Sequence, residues 1–151
     1  MKYEIALTVE ASAEDVDTRA LERLALRALE AEDVAAPSEL SIVLADDATV
    51  QALNRTYRAT DAPTDVLSFS QSEGAAFVRP DEALPHLGDV VISLETARRQ
   101  AGEHGQTMQA ETQHLLVHGI LHLLGYDHEQ PDDAQVMHGR EERLLGATRH
   151  H

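Results

Sequence analysis

The sequence contains no cysteine and no tryptophan, and of its 12 basic residues only Lys2 is a lysine. Without cysteine the chain can form neither disulfides nor thiolate–metal bonds, so a transition metal would have to be held by histidine and carboxylate. Two phenylalanines and three tyrosines leave room for only a small base-stacking platform. No run approaches the ~20 apolar residues that span a bilayer. The first ten residues, 1–10, lack the continuous apolar stretch of a signal peptide. A soluble, cytoplasmic protein without a membrane partner is expected. Positive charge is also scarce. The 27 acidic and 12 basic residues leave a formal net charge of −15, which opposes non-specific attraction to nucleic acid, and no DNA partner is expected. The basic minority is almost all arginine, whose planar fork suits phosphate, so a local basic patch inside an acidic shell stays open.

The chain has 151 residues, 42% of them hydrophobic. That suits one compact domain burying about 70% of the surface its unfolded form exposes. Neither repeats nor a linker divide residues 1–149, and His150 and His151 are set aside as a tag remnant or disordered tail. Tyr3, Ile5, Leu7 and Val9 alternate at the period of a strand. Ser12 with Asp15 reads as a helix start, with Val16, Ala20, Leu21, Leu24 and Ala28 following at helical spacing to about Ala31. Leu40 to Ala45 reads as a buried strand, and Asp47 as the cap of a helix through Val50, Leu53 and Tyr57. After a turn at residues 61–65, Val66 to Phe69 and Val90 to Leu94 are short strands on either side of a polar loop, residues 71–86. Helices are expected over Glu95 to His104, Thr107 to Leu124 and about Asp132 to Leu145, the last packing through Val136, Leu144 and Leu145. The fold class is α+β, a small mixed sheet packed with about five helices.

His118, His122 and His128 carry the main functional signal. Residues four apart share one helix face, so His118 and His122 can converge on one ion with Zn–N bonds of about 2.0–2.1 Å. Gly125 can take the left-handed conformation that ends a helix, which lets His128 add a third nitrogen from outside it. One zinc ion, or another divalent metal, fits such a set. With a coordination position left open, the site suits hydrolysis of peptides or phosphodiesters alike. His114 extends the histidine face, but residues eight apart lie about 12 Å apart along the axis. It reads as a residue that supports a ligand or faces substrate, or as a buried histidine satisfied by a carbonyl. The spacing is also that of the metzincin proteases, whose first histidine is followed by a glutamate base. Gly119 stands there in this chain.

The run His118-Gly119-x-Leu121-His122-Leu123-x-Gly125-Tyr126-Asp127-His128 resembles the signature of the YbeY family. Two further blocks are similar to that family's motifs: Asn54-x-x-Tyr57-Arg58-x-x-Asp61-x-Pro63-Thr64-Asp65-Val66-Leu67-Ser68-Phe69, and Leu87-Gly88-Asp89-Val90-Val91-Ile92-Ser93. The resemblance implies a zincin-like metallohydrolase architecture. It also implies a metal-dependent, single-strand-specific endoribonuclease that matures the 3′ end of small-subunit ribosomal RNA and acts in ribosome quality control. Its partners would be RNA and the small subunit or its proteins. Arg58 then takes the role of a catalytic phosphate-binding side chain, which a guanidinium performs well by holding two oxygens at once. Arg55, Arg79, Arg98 and Arg99 are the other candidates for a basic cleft. Asp61 and Asp65 read as turn residues, with proton transfer as the alternative. Asp127 could orient a ligand imidazole or simply be exposed beside Gly125. Met137 could line the pocket or the core. A metallopeptidase and a non-catalytic zinc-binding ribosome-assembly factor are the competing readings.

Overall fold

The computed structural model describes residues 3–70, 86–126 and 131–146. The alternating N-terminal segment forms β1 (Tyr3–Val9), followed by α1 (Thr18–Ala31), β2 (Ser38–Ala45), α2 (Asp47–Arg58), β3 (Val66–Ser70) and β4 (His86–Ser93). Three helices complete the order: α3 (Leu94–His104), α4 (Met108–Leu123) and α5 (Pro131–Gly146). The strands make one mixed sheet in the order β1-β2-β4-β3. β1, β2 and β4 are parallel neighbours, and β3 pairs antiparallel to β4 with Val66 opposite Ile92 and Ser70 opposite Gly88. Parallel neighbours need a crossover, which α1 supplies between β1 and β2.

The two faces of the sheet are covered unequally. On one, α1 buries Leu21, Leu24, Ala25, Ala28 and Leu29 in a core shared with Leu40, Ile42 and Leu44 of β2, Val90 and Ile92 of β4, and Leu116 and Ile120 of α4. Each such leucine contributes about 1.5–3 kcal/mol relative to an exposed one. On the other face α2 lays Val50, Leu53 and Tyr57 over Leu67, Phe69 and Val91. α4 therefore lies on the opposite side of β3 and β4 from α2. Among the described residues no helix is long and apolar enough to cross a membrane.

Several local expectations shift. α1 begins at Thr18, capped by Asp17, whose carboxylate accepts the Ala20 amide at 3.1 Å. The earlier signature, Ser12 with Asp15, is taken up by Arg98 of α3, which binds the Ser12 carbonyl and both Asp15 oxygens. The cap of α2 is Asp46, not Asp47. β4 starts at His86, whose buried ring lies between Glu39 at 3.3 Å and Asp89 at 3.2 Å. Val136 is 58% exposed, and it is Met137, with Leu144 and Leu145, that joins α5 to the core. Of the polar loop, residues 71–85 lie outside the described residues, as do residues 147–151.

Candidate metal centre and active-site cleft

α4 is set at both ends by local chemistry. Thr107 caps its start, accepting the Ala110 amide at 3.0 Å. At its end the Gly125 amide donates to the His122 carbonyl and the Tyr126 amide to the Leu121 carbonyl, each at 3.0 Å. That pair of bonds closes the last turn with Gly125 at φ +103°, a conformation favouring glycine. The chain turns at Gly125, two residues after the helix ends at Leu123. Asp127 and His128 themselves lie outside the described residues.

His118 and His122 are half-buried and their ring centroids are 5.0 Å apart. Two imidazoles on one tetrahedral ion at about 2.1 Å would have centroids roughly 5 Å apart, so the described pair fits a transition metal. Among the described residues no group of three histidines or carboxylates is arranged to hold an ion. The pair supplies two nitrogens, and a third donor must come from elsewhere. His114 stacks on His118 with centroids 6.5 Å apart and rings nearly parallel. It is the neighbour of a candidate ligand.

Both histidines open into a cleft of about 360 Å³ whose walls include Gly119 of α4, residues 64–68 and Arg58. The second wall is built by the Asn54–Phe69 block. Asn54 is buried and donates through Nδ2 to the Ala62 carbonyl at 2.9 Å, pinning the turn after α2. Tyr57 packs edge-on against Phe69 at 5.4 Å. Arg58 lies over the same ring, its guanidinium carbon 4.9 Å from the centroid, and donates through Nη2 to the Ser68 carbonyl at 2.7 Å. Its Nη1 also donates to the Tyr57 carbonyl at 3.4 Å, so the guanidinium is held at the cleft wall from two sides. Asp65 lines the same cleft, its Oδ1 accepting the Val66 amide at 2.8 Å. Asp61 stays at the turn, bonded to Gln51 and near Arg55. Met137 is a core residue.

The wider arginine patch does not form among the described residues. Arg55 faces Asp61 at 3.6 Å, Arg98 binds Asp15 and Arg99 binds Asp47, each pair at 2.9 Å, so these guanidinium groups serve the chain's own carboxylates. Arg79 lies outside the described residues. Among the described residues, Arg58 is the arginine that lines the cleft.

Two contacts were not legible in the sequence. Ser68 of β3 donates from Oγ to the Gly119 carbonyl at 2.7 Å, fastening the two walls together. Glu141 of α5, only 6% exposed, places Oε2 2.6 Å from His118 Nδ1. Burial raises the Glu141 carboxyl, but the hydrogen bond with His118 and the charges of His118, His114 and His138 outweigh it and hold the group below its usual range. Glu141 lies 23 residues from His118 on a different helix, and no spacing rule links positions that meet only through tertiary packing.

A model of the Endoribonuclease YbeY family matches residues 6–149. The Endoribonuclease YbeY of Roseiflexus castenholzii is 50% identical over 133 residues, covering 87% of this chain and 84% of that protein. That of Pelotomaculum thermopropionicum is 50% identical over 129 residues, 85% and 84% of the two chains. That of Geobacillus thermodenitrificans is 41% identical over 148 residues, 94% of each. The solution structure of TM1509 from Thermotoga maritima aligns with a TM-score of 0.59 at 23% identity, covering 95% of this chain and 91% of that one, a likeness of fold.

Proposed function

The chain belongs to the Endoribonuclease YbeY family, and from that premise we propose that it hydrolyses single-stranded RNA in the cleft between α4 and β3, with one zinc ion held by His118, His122 and His128. Its role is ribosomal RNA processing, here the 3′-end maturation of small-subunit RNA and its quality control. The work is cytoplasmic, and a small-subunit protein presents the strand. The observation that supports this reading most directly is the meeting of a histidine pair at ligand spacing with Arg58 in one cleft.

When bound, zinc supplies an acidified water, with a pKa near 7, and polarises a phosphoryl oxygen. The chain's own groups do the rest. Arg58 binds the scissile phosphate through two oxygens and offsets the charge that grows on them during cleavage. Phe69 and the Ser68 carbonyl hold that guanidinium in place beforehand, so little ordering is left for the reaction step. Asp65, on the same wall, is the carboxylate placed to accept a proton, a role that Gly119 cannot fill. His114 supports His118 from the turn above. The peptidase reading is disfavoured by the close packing at Gly119, which leaves no space for the glutamate base.

The test is incubation of the purified protein with single-stranded RNA and with a denatured protein, each with and without chelator. RNA should be cut, chelator should stop the cutting, and the protein substrate should survive. Arg58→Ala should keep its zinc and lose activity on the order of a hundredfold, with Arg58→Lys restoring little. His118→Ala, His122→Ala and His128→Ala should release most of the metal, whereas His114→Ala should retain it. Parental cleavage by the Arg58→Ala variant would reduce Arg58 to a surface residue.

A further inference from the structure

Glu141 is a carboxylate with almost no access to water, and burying such a charge costs several kcal/mol unless it is paired. Its Oε2 meets His118 Nδ1 at 2.6 Å, whereas its other oxygen lies 3.8 Å from the exposed His138, beyond hydrogen-bond reach. The 2.6 Å contact is made through Nδ1, the nitrogen from which an imidazole donates to a carboxylate when its hydrogen sits there. A neutral His118 bonded in this way carries its hydrogen on Nδ1 and its lone pair on Nε2.

The fold does not need this contact to hold α5. Arg140 binds Glu32 at the end of α1, and Met137, Leu144 and Leu145 seat the helix in the core. An apolar side chain at 141 would be the cheaper filling for a site that did nothing but pack. The carboxylate is explained by what it does to His118.

We infer that Glu141 is a positioning residue of the metal centre, holding the His118 ring in the orientation and tautomer in which Nε2 is the donor to the ion. The inference rests on the zinc reading above for the identity of the ion, but the tautomer belongs to the chain itself. α5 thereby acquires a function: it carries the group that prepares a ligand on α4. A carboxylate that bonds the outer nitrogen of a ligand histidine fixes the ring and raises its basicity, and its loss typically lowers metal affinity 10- to 100-fold.

The experiment uses Glu141→Gln, which keeps the shape and removes the charge, and Glu141→Ala, which removes both. Zinc affinity is measured by competition with a chromophoric chelator. The His118 tautomer is read in the metal-free protein by ¹⁵N NMR of the imidazole nitrogens. The parent should show the hydrogen of His118 on Nδ1. Glu141→Gln should bind zinc about tenfold more weakly and Glu141→Ala up to a hundredfold more weakly, with His118 in the alanine variant shifting toward Nε2–H. A circular dichroism spectrum matching the parent's separates these losses from unfolding. Affinities within twofold of the parent in both variants, or a parent His118 that carries its hydrogen on Nε2, would overturn the inference. If the parent takes up no zinc at all, the metal reading fails instead, and the tautomer difference between parent and Glu141→Ala decides the role of Glu141 by itself.

Discussion

A single carbon added at position 119 would stand 2.7 Å from Val90 Cγ1, 3.1 Å from Val66 Cγ2 and 3.2 Å from Ser68 Oγ. Val90 is fully buried and β-branched, so its side chain has little freedom to yield. Glycine at this point lets α4 approach β3 and β4 closely enough for Ser68 to reach the helix carbonyl. The sequence shows only that the protease base is missing; packing supplies the reason no such base fits. Gly119→Ala gains up to about 1 kcal/mol of helix propensity against an overpacking cost of about 1–3 kcal/mol. A net loss of about 1 kcal/mol is therefore expected in urea denaturation. Gly119→Glu should lose several times more and acquire no peptidase activity, because its carboxylate would be buried among valines. An alanine variant as stable as the parent would mean that Val90 moves aside freely.

At the scale of elements, the start of α2 and the start of α3 are tied through one carboxylate. Asp47 accepts from Ser93 Oγ and Thr96 Oγ1 at 2.6 Å each and from Arg99 at 2.9 Å, while its backbone amide donates to Glu95 at 2.8 Å. Burial raises its carboxyl, but the three hydrogen bonds and the Arg99 charge prevail and the group is held below its ordinary value. A depressed folded-state value means that the stabilisation is complete above the unfolded carboxylate range, near pH 3.9, and is lost as pH falls through the lower folded value. Asp47→Asn should lower stability at neutral pH by about 1–2 kcal/mol. Its melting temperature should also fall less steeply than the parent's between neutral pH and about pH 2.5. Parallel melting curves across that range would show that Asp47 contributes no pH-dependent stabilisation. The same network explains why Asp46 and not Asp47 caps α2: the cap position needs a side chain turned back on its own helix, and Asp47 is turned toward α3.

For the molecule as a whole, the governing quantity is a charge of −15, with Arg55, Arg98 and Arg99 among the described residues already paired to the chain's own carboxylates. Binding of single-stranded RNA releases counterions in proportion to the phosphates neutralised, with a slope of about −0.7 per phosphate in log affinity against log salt. If Arg58 and the metal meet one or two phosphates, the slope for a short RNA should be only about −1, and affinity in the absence of a ribosomal partner should be weak. Fluorescence anisotropy from low to moderate salt measures it on the metal-loaded parent with a short single strand whose linkages cannot be hydrolysed. A slope steeper than about −3 would reveal a basic surface beyond the cleft and remove the need for a partner to present the strand.

The sequence by itself determined the α+β class and most element positions, because apolar periodicity and capping residues are local signals. Alternation from Tyr3 to Val9, Thr107 before α4 and Gly125 after it are each readable within a few positions. The histidine pair was legible for the same reason: a helix turns a four-residue spacing into a shared face. Motif resemblance brought Arg58 and Asp65 forward, and the fold sets both on the wall of the cleft that His118 and His122 enter. Only the tertiary structure decided that Arg55, Arg98 and Arg99 pair with the chain's own carboxylates, since Asp61, Asp15 and Asp47 meet them across helices and turns. It also decided that Ser12 and Asp15 serve Arg98 while Asp17 starts the helix, and that Val136 faces outward while Met137 faces in. Glu141 is the clearest case, because its meeting with His118 depends on how α5 packs across α4, and no local pattern encodes where two separate helices touch.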